Sequence, residues 1–136
     1  MADIADRGGG WYRPVMHIRR LAEAATYERD GLQSHVLLDA GDFGSKRLVV
    51  TWVVVPPDGG QRPHVHDASE QVYIIVRGRG MMTVGDEQAA VEVGDLVLVP
   101  PQTSHSIANA SEDTLIYASA TAPPQSMADL YSTGLA

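Results

Sequence analysis

The chain has 136 residues, a formal net charge of −7 and no cysteine. Its length is that of one domain, and the lack of cysteine excludes disulfides, thiolate metal sites and cysteine nucleophiles. The acidic balance without a basic stripe argues against a nucleic-acid partner. The longest apolar run, residues 48–57, is far short of the ~20 residues that span a membrane, so we expect a cytoplasmic protein.

The first thirty residues have a mixed pattern. Residues 1–10 hold three consecutive glycines and predict a flexible lead ahead of a single domain at residues 11–120. From Trp11 to about Asp30, the stretch VMHIRRL has the character of a strand, whereas RRLAEAATYE contains helix formers. We therefore predict a strand followed by a short helical turn.

From Leu32 onward, short β-branched and aromatic stretches alternate with turn residues. They include LQSHVLL, RLVVTWVVV, QVYIIV, MMTV, AAVEV, LVLV, SHSIAN and TLIYASA. Many short strands with little helix predict an all-β sandwich or barrel, and a closed roll would remove the exposed strand edges. Residues 121–136 contain two prolines near their start and predict a C-terminal tail, either loosely ordered or with a short helix from Met127 to Tyr131.

Three histidines suggest a metal site. His64 and His66 are two residues apart, so in a strand both rings lie on one face and can reach one ion. His105 follows a proline-rich turn and lies on a later strand. Imidazole groups from separate strands are suitable ligands for Zn, Fe, Ni or Cu. Arg62 has the same parity as the two histidines, so we expect it to face inward as well.

Two stretches resemble the paired motifs of the cupins. HVHDASEQVYIIVRG, residues 64–78, is similar to the first motif, and GDLVLVPPQTSHSIAN, residues 94–109, is similar to the second, with Gly94, Pro100, His105 and Asn109 at the expected intervals. This resemblance implies a double-stranded β-helix, or jelly-roll barrel. It also implies one divalent transition metal ion, such as Zn, Fe, Mn or Ni, and a homodimer, to which a strand at Val15–Arg20 could contribute by joining a partner's sheet.

The motifs depart from the usual family pattern at two turns. Asp58 stands where the first motif has a glycine, with Gly59 and Gly60 just after it, so we expect the turn to be shifted. Gln102 stands where the second motif has a glycine, and a strained turn with positive φ is one expectation there. Asn109 is expected to stabilise a turn.

The fourth metal ligand is either Glu70 or Gln71. The cupin motif places six residues between this ligand and the following glycine, and six residues separate Gln71 from Gly78. The register therefore favours Gln71 as the ligand. In that register Tyr73 and Ile75 also point inward, whereas Glu70, the alternative ligand, points outward. Because both faces of this strand are apolar, we expect it to be covered on each side.

The choice of ligand bears on the reaction. Three neutral imidazoles and an amide leave the ion its full +2 charge, which favours Lewis-acid chemistry on anionic substrates, whereas a carboxylate would reduce the charge. The three-histidine, one-glutamine set resembles that of sugar-ring-opening and polyketide-cyclising cupins. Four further residues are expected in the pocket. Arg62 would anchor the substrate, or else be an arginine at the rim paired with an acid. Tyr73 would donate a proton, or else only pack in the core, and Ile75 and Met82 would be substrate-binding side chains.

Three functions follow as hypotheses. The first is a metal-dependent cyclase, isomerase or lyase acting on a small organic molecule. The second is a mononuclear non-haem metal dioxygenase, which Glu70 as ligand would favour. The third is a cupin that binds a metal or a small metabolite without catalysis. No serine-nucleophile motif and no phosphate-binding loop competes with the histidine cluster.

Overall fold

The computed structural model describes residues 15–125, which form an almost entirely β structure. The strands are β1 (Ala25–Arg29), β2 (Leu32–Leu38), β3 (Val49–Val55), β4 (Glu70–Arg77), β5 (Arg79–Val84), β6 (Glu87–Glu92), β7 (Leu96–Val99), β8 (His105–Ala108) and β9 (Leu115–Ala122). Two single-turn 3₁₀ helices, Leu21–Glu23 and Asp42–Gly44, complete the described elements. None of the helices in this part of the chain is long and apolar enough to cross a membrane.

The strands form two antiparallel sheets. The larger has the order β1-β2-β3-β9-β4-β7, and the smaller has the order β6-β5-β8. Two isolated bridges, Gly60 to Ala108 and His64 to His105, place the segment before β4 alongside β8. The all-β prediction and the double-stranded β-helix implied by the motifs are therefore confirmed. The predicted lead at 1–10 and the predicted helix at 127–131 lie outside the described residues.

The core lies between the sheets and follows the two-residue alternation of the strands. In β4 the inward residues Gln71, Tyr73 and Ile75 are buried, as predicted. The outward residues Ile74 and Val76 are 42% and 38% exposed. The expectation that this strand is covered on both faces is therefore wrong within the described residues, since these two outward side chains are exposed.

The N-terminal region differs from the prediction. Residues 15–20 lie in no strand, so the strand predicted to join a partner's sheet is absent, and the homodimer itself stays a prediction. The expected helical turn is reduced to Leu21–Glu23, after which β1 and β2 form a hairpin. Its two-residue loop is Asp30-Gly31, with φ of 53° and 85°. An Asp-Gly pair with positive φ at both positions is the turn that suits the twist of two antiparallel strands.

The two unusual motif turns have a common geometry. Asp58 takes a φ of 63°, and neither Gly59 nor Gly60 has a positive φ, so the turn is not shifted and the expectation of a shift is wrong. Aspartate tolerates the left-handed region better than most residues because its short side chain can bond to nearby backbone. Gln102 has a φ of 59°, which confirms the strained turn. Its N–H donates to the carbonyl oxygen of His66 at 2.7 Å and so ties this turn to the histidine segment.

Asn109 stabilises the turn that follows β8, as predicted. Its side chain is 1% exposed, and its Nδ2 donates to the carbonyl oxygens of Asp113, Val55 and Pro56 at 2.8, 3.1 and 3.2 Å. Its Oδ1 accepts the backbone N–H of Ser111 at 3.0 Å. One buried amide therefore joins the end of β3 to the loop between β8 and β9.

Gly78 occupies a position that only glycine fits. Its φ is +78°, and a Cβ added to it would collide with the carbonyl oxygen of Thr114. Gly94 has a similar φ of +94°, but a Cβ there would meet nothing within 4 Å. Both glycines have a positive φ, but only Gly78 lacks space for a Cβ. Comparing substitutions at the two positions therefore separates the cost of the missing space from the cost of the backbone conformation.

We predict that Gly78→Ala destabilises the protein more than Gly94→Ala does. The positive φ should cost each variant about 1–3 kcal/mol of unfolding free energy. The contact with Thr114 should cost Gly78→Ala about 1–3 kcal/mol more, because the backbone must move to admit the methyl group. Denaturant unfolding of both variants measures the difference, and equal losses would contradict the close approach described for Gly78.

Candidate metal centre

Four side chains from three parts of the chain lie close together. His64 and His66 lie in the segment before β4, Gln71 is the second residue of β4, and His105 is the first residue of β8. The backbones of His64 and His105 exchange two hydrogen bonds, with N···O distances of 3.1 and 3.0 Å. Because this exchange aligns the two segments, their histidine rings lie next to each other, with ring centres 4.2 Å apart.

The three histidines could hold one metal ion. Each can offer one ring nitrogen, and these atoms all lie within 4.8 Å of one another. The residues His64, His66 and His105 are 5%, 4% and 1% exposed. Gln71 completes the group, because its Oε1 lies 3.2 Å from Nε2 of His66 and 3.1 Å from Nε2 of His105.

The other ring nitrogen of each histidine contacts an oxygen. Nδ1 of His64 is 2.8 Å from the carbonyl oxygen of Arg62, and Nδ1 of His105 is 3.0 Å from that of Thr103. A carbonyl oxygen can only accept a hydrogen bond, so each Nδ1 carries the proton and donates it. In the neutral ring this leaves Nε2 with a lone pair directed at the centre, which is the usual arrangement of a metal-binding histidine.

Burial keeps two of these rings neutral. It lowers the pKa of His64 to about 4, outweighing the hydrogen bond to the Arg62 carbonyl, which raises it. Burial also lowers the pKa of His105. With His105 neutral and its proton on Nδ1, its Nε2 and Gln71 Oε1 face each other at 3.1 Å as two acceptors without a proton between them. Such a pair repels, and a cation beside it would be attracted to both lone pairs, so the donor set fits a divalent ion.

Gln71 is held in place from β9. Its Nε2 donates to Oγ of Ser119 at 3.3 Å, and Ser119 lies 2.7 Å from Oγ1 of Thr51 on β3. This chain orients the amide so that its oxygen faces the histidines. Sequence reasoning missed both hydroxyl residues, although Ser119 is a polar residue at an inward position that follows the inward apolar residues Leu115 and Tyr117.

Glu70 lies on the other side of the same strand. It is exposed, whereas Gln71 is 8% exposed, which is the orientation that the spacing to Gly78 predicts. Because consecutive side chains of a strand point to opposite faces, Glu70 cannot share the histidine centre while Gln71 faces it. The structure thus brings Gln71 to the histidines and leaves the alternative ligand outside.

Arg62 does not face inward. Its guanidinium Nη2 pairs with Asp30 at 3.1 Å, and its side chain is 58% exposed. The expectation that Arg62 faces inward is wrong because residues 61–63 form no regular strand. The alternation of inward and outward side chains that includes His64 and His66 therefore does not extend back through Pro63. The alternative interpretation of an arginine at the rim paired with an acid describes the observed contact.

The other predicted pocket residues are buried. Tyr73 is fully buried with its ring centre 6.0 Å from that of His105, and its O–H donates to Oε1 of Gln61 at 2.6 Å. Burial raises the pKa of the Tyr73 phenol well above its usual value. Ile75 and Met82 belong to the hydrophobic core, 1% and 3% exposed, and their roles as substrate-binding residues stay predictions.

Comparison with known proteins agrees with the fold and the motifs. The family model described as a cupin domain matches residues 51–120. The chain is also 32% identical over 101 residues to an uncharacterized protein of Methanocaldococcus jannaschii, in an alignment that covers 74% of this chain and 81% of that protein.

Two solved structures with low identity share the fold. A predicted oxalate decarboxylase from Thermotoga maritima is 18% identical, with a TM-score of 0.72 over 79% of this chain and 99% of that one. KdgF from a Halomonas species is 17% identical, with a TM-score of 0.70 over 82% of this chain and 96% of that one. The match of the family model over residues 51–120, together with the relative at 32% identity, shows that this chain belongs to the cupin family.

Proposed function

We propose that this cupin binds one divalent transition metal ion, such as Zn, Fe, Mn or Ni, through His64, His66, His105 and Gln71. The observation that carries the proposal is the convergence of three buried imidazoles, with ligand atoms within 4.8 Å of one another, on the oxygen of a buried amide. Three or four protein ligands leave a coordination position for substrate, which is typical of catalytic rather than structural sites.

The charge of the centre supports Lewis-acid chemistry. All four ligands are neutral, so the bound ion would keep its +2 charge and would polarise a carbonyl or carboxylate oxygen. The substrate class that suits such a centre is a small organic anion, such as a carboxylate, enolate or enediolate, and the reaction would be of the cyclase, isomerase or lyase type. One similar structure is described as a predicted oxalate decarboxylase, a name that gives that protein a small dicarboxylate as substrate.

Tyr73 is our candidate for the proton-bearing side chain. Its burial and raised pKa keep the phenol protonated at neutral pH, so it can donate a hydrogen bond but cannot act as a base there. In the described structure its O–H donates to Gln61. A substrate oxyanion beside the metal would compete with Gln61 for this donor and would be stabilised by it.

We predict that His66→Ala abolishes stoichiometric metal binding. The substitution removes one of three imidazoles, and the remaining ligands would hold the ion through fewer bonds. His35→Ala is the control, because His35 lies on β2, bonds to Thr26 and belongs to no metal-binding group among residues 15–125. Elemental analysis after zinc loading and dialysis measures retention. A fully metallated His66→Ala protein would refute the site.

We predict that Gln71→Glu weakens the binding of a small anion to the zinc-loaded protein. The substitution keeps the shape of the side chain and adds a negative charge beside the ion, so affinity for oxalate, used as the probe, should fall by at least about tenfold. Titration calorimetry measures both proteins.

Glu70→Gln is the matched control for this substitution. It makes the opposite chemical change at the adjacent, exposed position, and it should alter the affinity for oxalate by less than about twofold because solvent screens exposed charges. Equal effects of the two substitutions would place the metal away from Gln71 and contradict the proposed ligand set.

A further inference from the structure

The three histidines of the centre differ in what holds the ring nitrogen that faces away from it. For His64 and His105, the partner is a main-chain carbonyl two residues earlier on the same segment. For His66, the partner is the side chain of Gln125, which lies 59 residues later in the chain, with Oε1 2.6 Å from Nδ1 of His66. The orientation of His66 therefore depends on a residue that follows β9.

The segment after β9 is attached to the histidine segment at two points. Besides the contact between Gln125 and His66, Oγ of Ser69 donates to the carbonyl oxygen of Pro123 at 2.5 Å. Ser69 is 5% exposed and immediately precedes β4. Residues 123–125 thus cross the loop that carries His66 toward Gln71, so the position of this loop and that of the C-terminal segment depend on each other.

The identity of the atom on Gln125 decides which nitrogen of His66 is available. An amide oxygen only accepts, so His66 donates from Nδ1, and its Nε2 keeps the lone pair that faces Gln71 Oε1 at 3.2 Å. Without the acceptor, the neutral ring could carry its proton on Nε2 and donate to Gln71, and this tautomer cannot bind a metal through Nε2. The main-chain partners of His64 and His105 exclude that alternative for those rings.

We propose that Gln125 is a positioning residue of the metal centre, which fixes the tautomer and ring orientation of His66 and links the C-terminal segment to metal affinity. The inference rests on the proposed metal site. Partners of this kind typically contribute 10–100-fold to metal affinity, because they orient the ligand and raise its basicity. The coupling also works in reverse: metal binding should hold residues 123–125 more firmly against the loop of His66.

Two substitutions of Gln125 separate the acceptor from the bulk of the side chain. Gln125→Met keeps the length and removes the acceptor, and it should weaken zinc binding by roughly 10–100-fold in a chelator competition. Gln125→Glu keeps an acceptor at the same place and should retain or tighten zinc binding. Gln88→Met is the control, since Gln88 is an exposed residue of β6 whose Nε2 donates to Thr83.

A tautomer measurement on the metal-free protein tests the same inference without relying on the metal. Long-range ¹H–¹⁵N NMR spectra should show His66 as the Nδ1–H tautomer in the wild type and as a mixture in Gln125→Met, with His64 and His105 unchanged. Unchanged spectra and unchanged zinc affinity in Gln125→Met would overturn the inference. A wild type that binds no zinc, with a tautomer shift still present in the variant, would refute the proposed metal site and leave the positioning of His66 by Gln125 standing.

Discussion

The site depends on one pair of backbone hydrogen bonds, exchanged between His64 and His105. The two residues belong to different cupin motifs and lie 41 positions apart in the chain, and the exchange fixes both rings at once. The turn at Gln102 adds a third connection, from its N–H to the carbonyl oxygen of His66. Because main-chain bonds align the segments that carry the three histidines, the grouping of these residues follows from strand and turn pairing.

Burial and hydrogen bonding act together on the protonation of the centre. Burial lowers the pKa of His64 and His105, so these rings are neutral at pH 7, and the carbonyl partners then place the remaining proton on Nδ1. Ser119 and Thr51 orient the amide of Gln71 in the same direction. The outcome is that His64, His105 and Gln71 direct lone pairs at one point, an arrangement that a divalent cation would stabilise.

The inward position of Gln71 could be predicted from sequence because it depends on spacing within one strand. The interval from Gln71 to Gly78 fixes the register of β4, and the close contact between Gly78 and Thr114 explains why that interval ends in glycine. The hairpin around Asp30-Gly31 differs from the predicted helical turn. Its Asp-Gly pair is visible in the sequence, but the helix formers just before it favour a helical turn.

Other features could not be found in the sequence. Arg62 has the parity of His64, but Pro63 and the irregular backbone around it break the alternation on which the inward prediction depended. The contact between Gln125 and His66 joins residues 59 positions apart through a segment outside any strand, so no periodicity signals it. Residues whose neighbours are set by loops and tertiary packing need coordinates, whereas residues within a regular strand can be placed from spacing alone.

The proposed metal centre has four neutral ligands, in which Gln71, and not Glu70, completes the three imidazoles. The most direct test is a crystal structure of the zinc-loaded protein with anomalous data collected at the zinc edge. We expect a single strong peak at about 2.0–2.2 Å from Nε2 of His64, His66 and His105, with Oε1 of Gln71 in the same coordination shell. A peak bound through Nδ1 atoms or through Glu70, or no ordered zinc at these histidines, would contradict it.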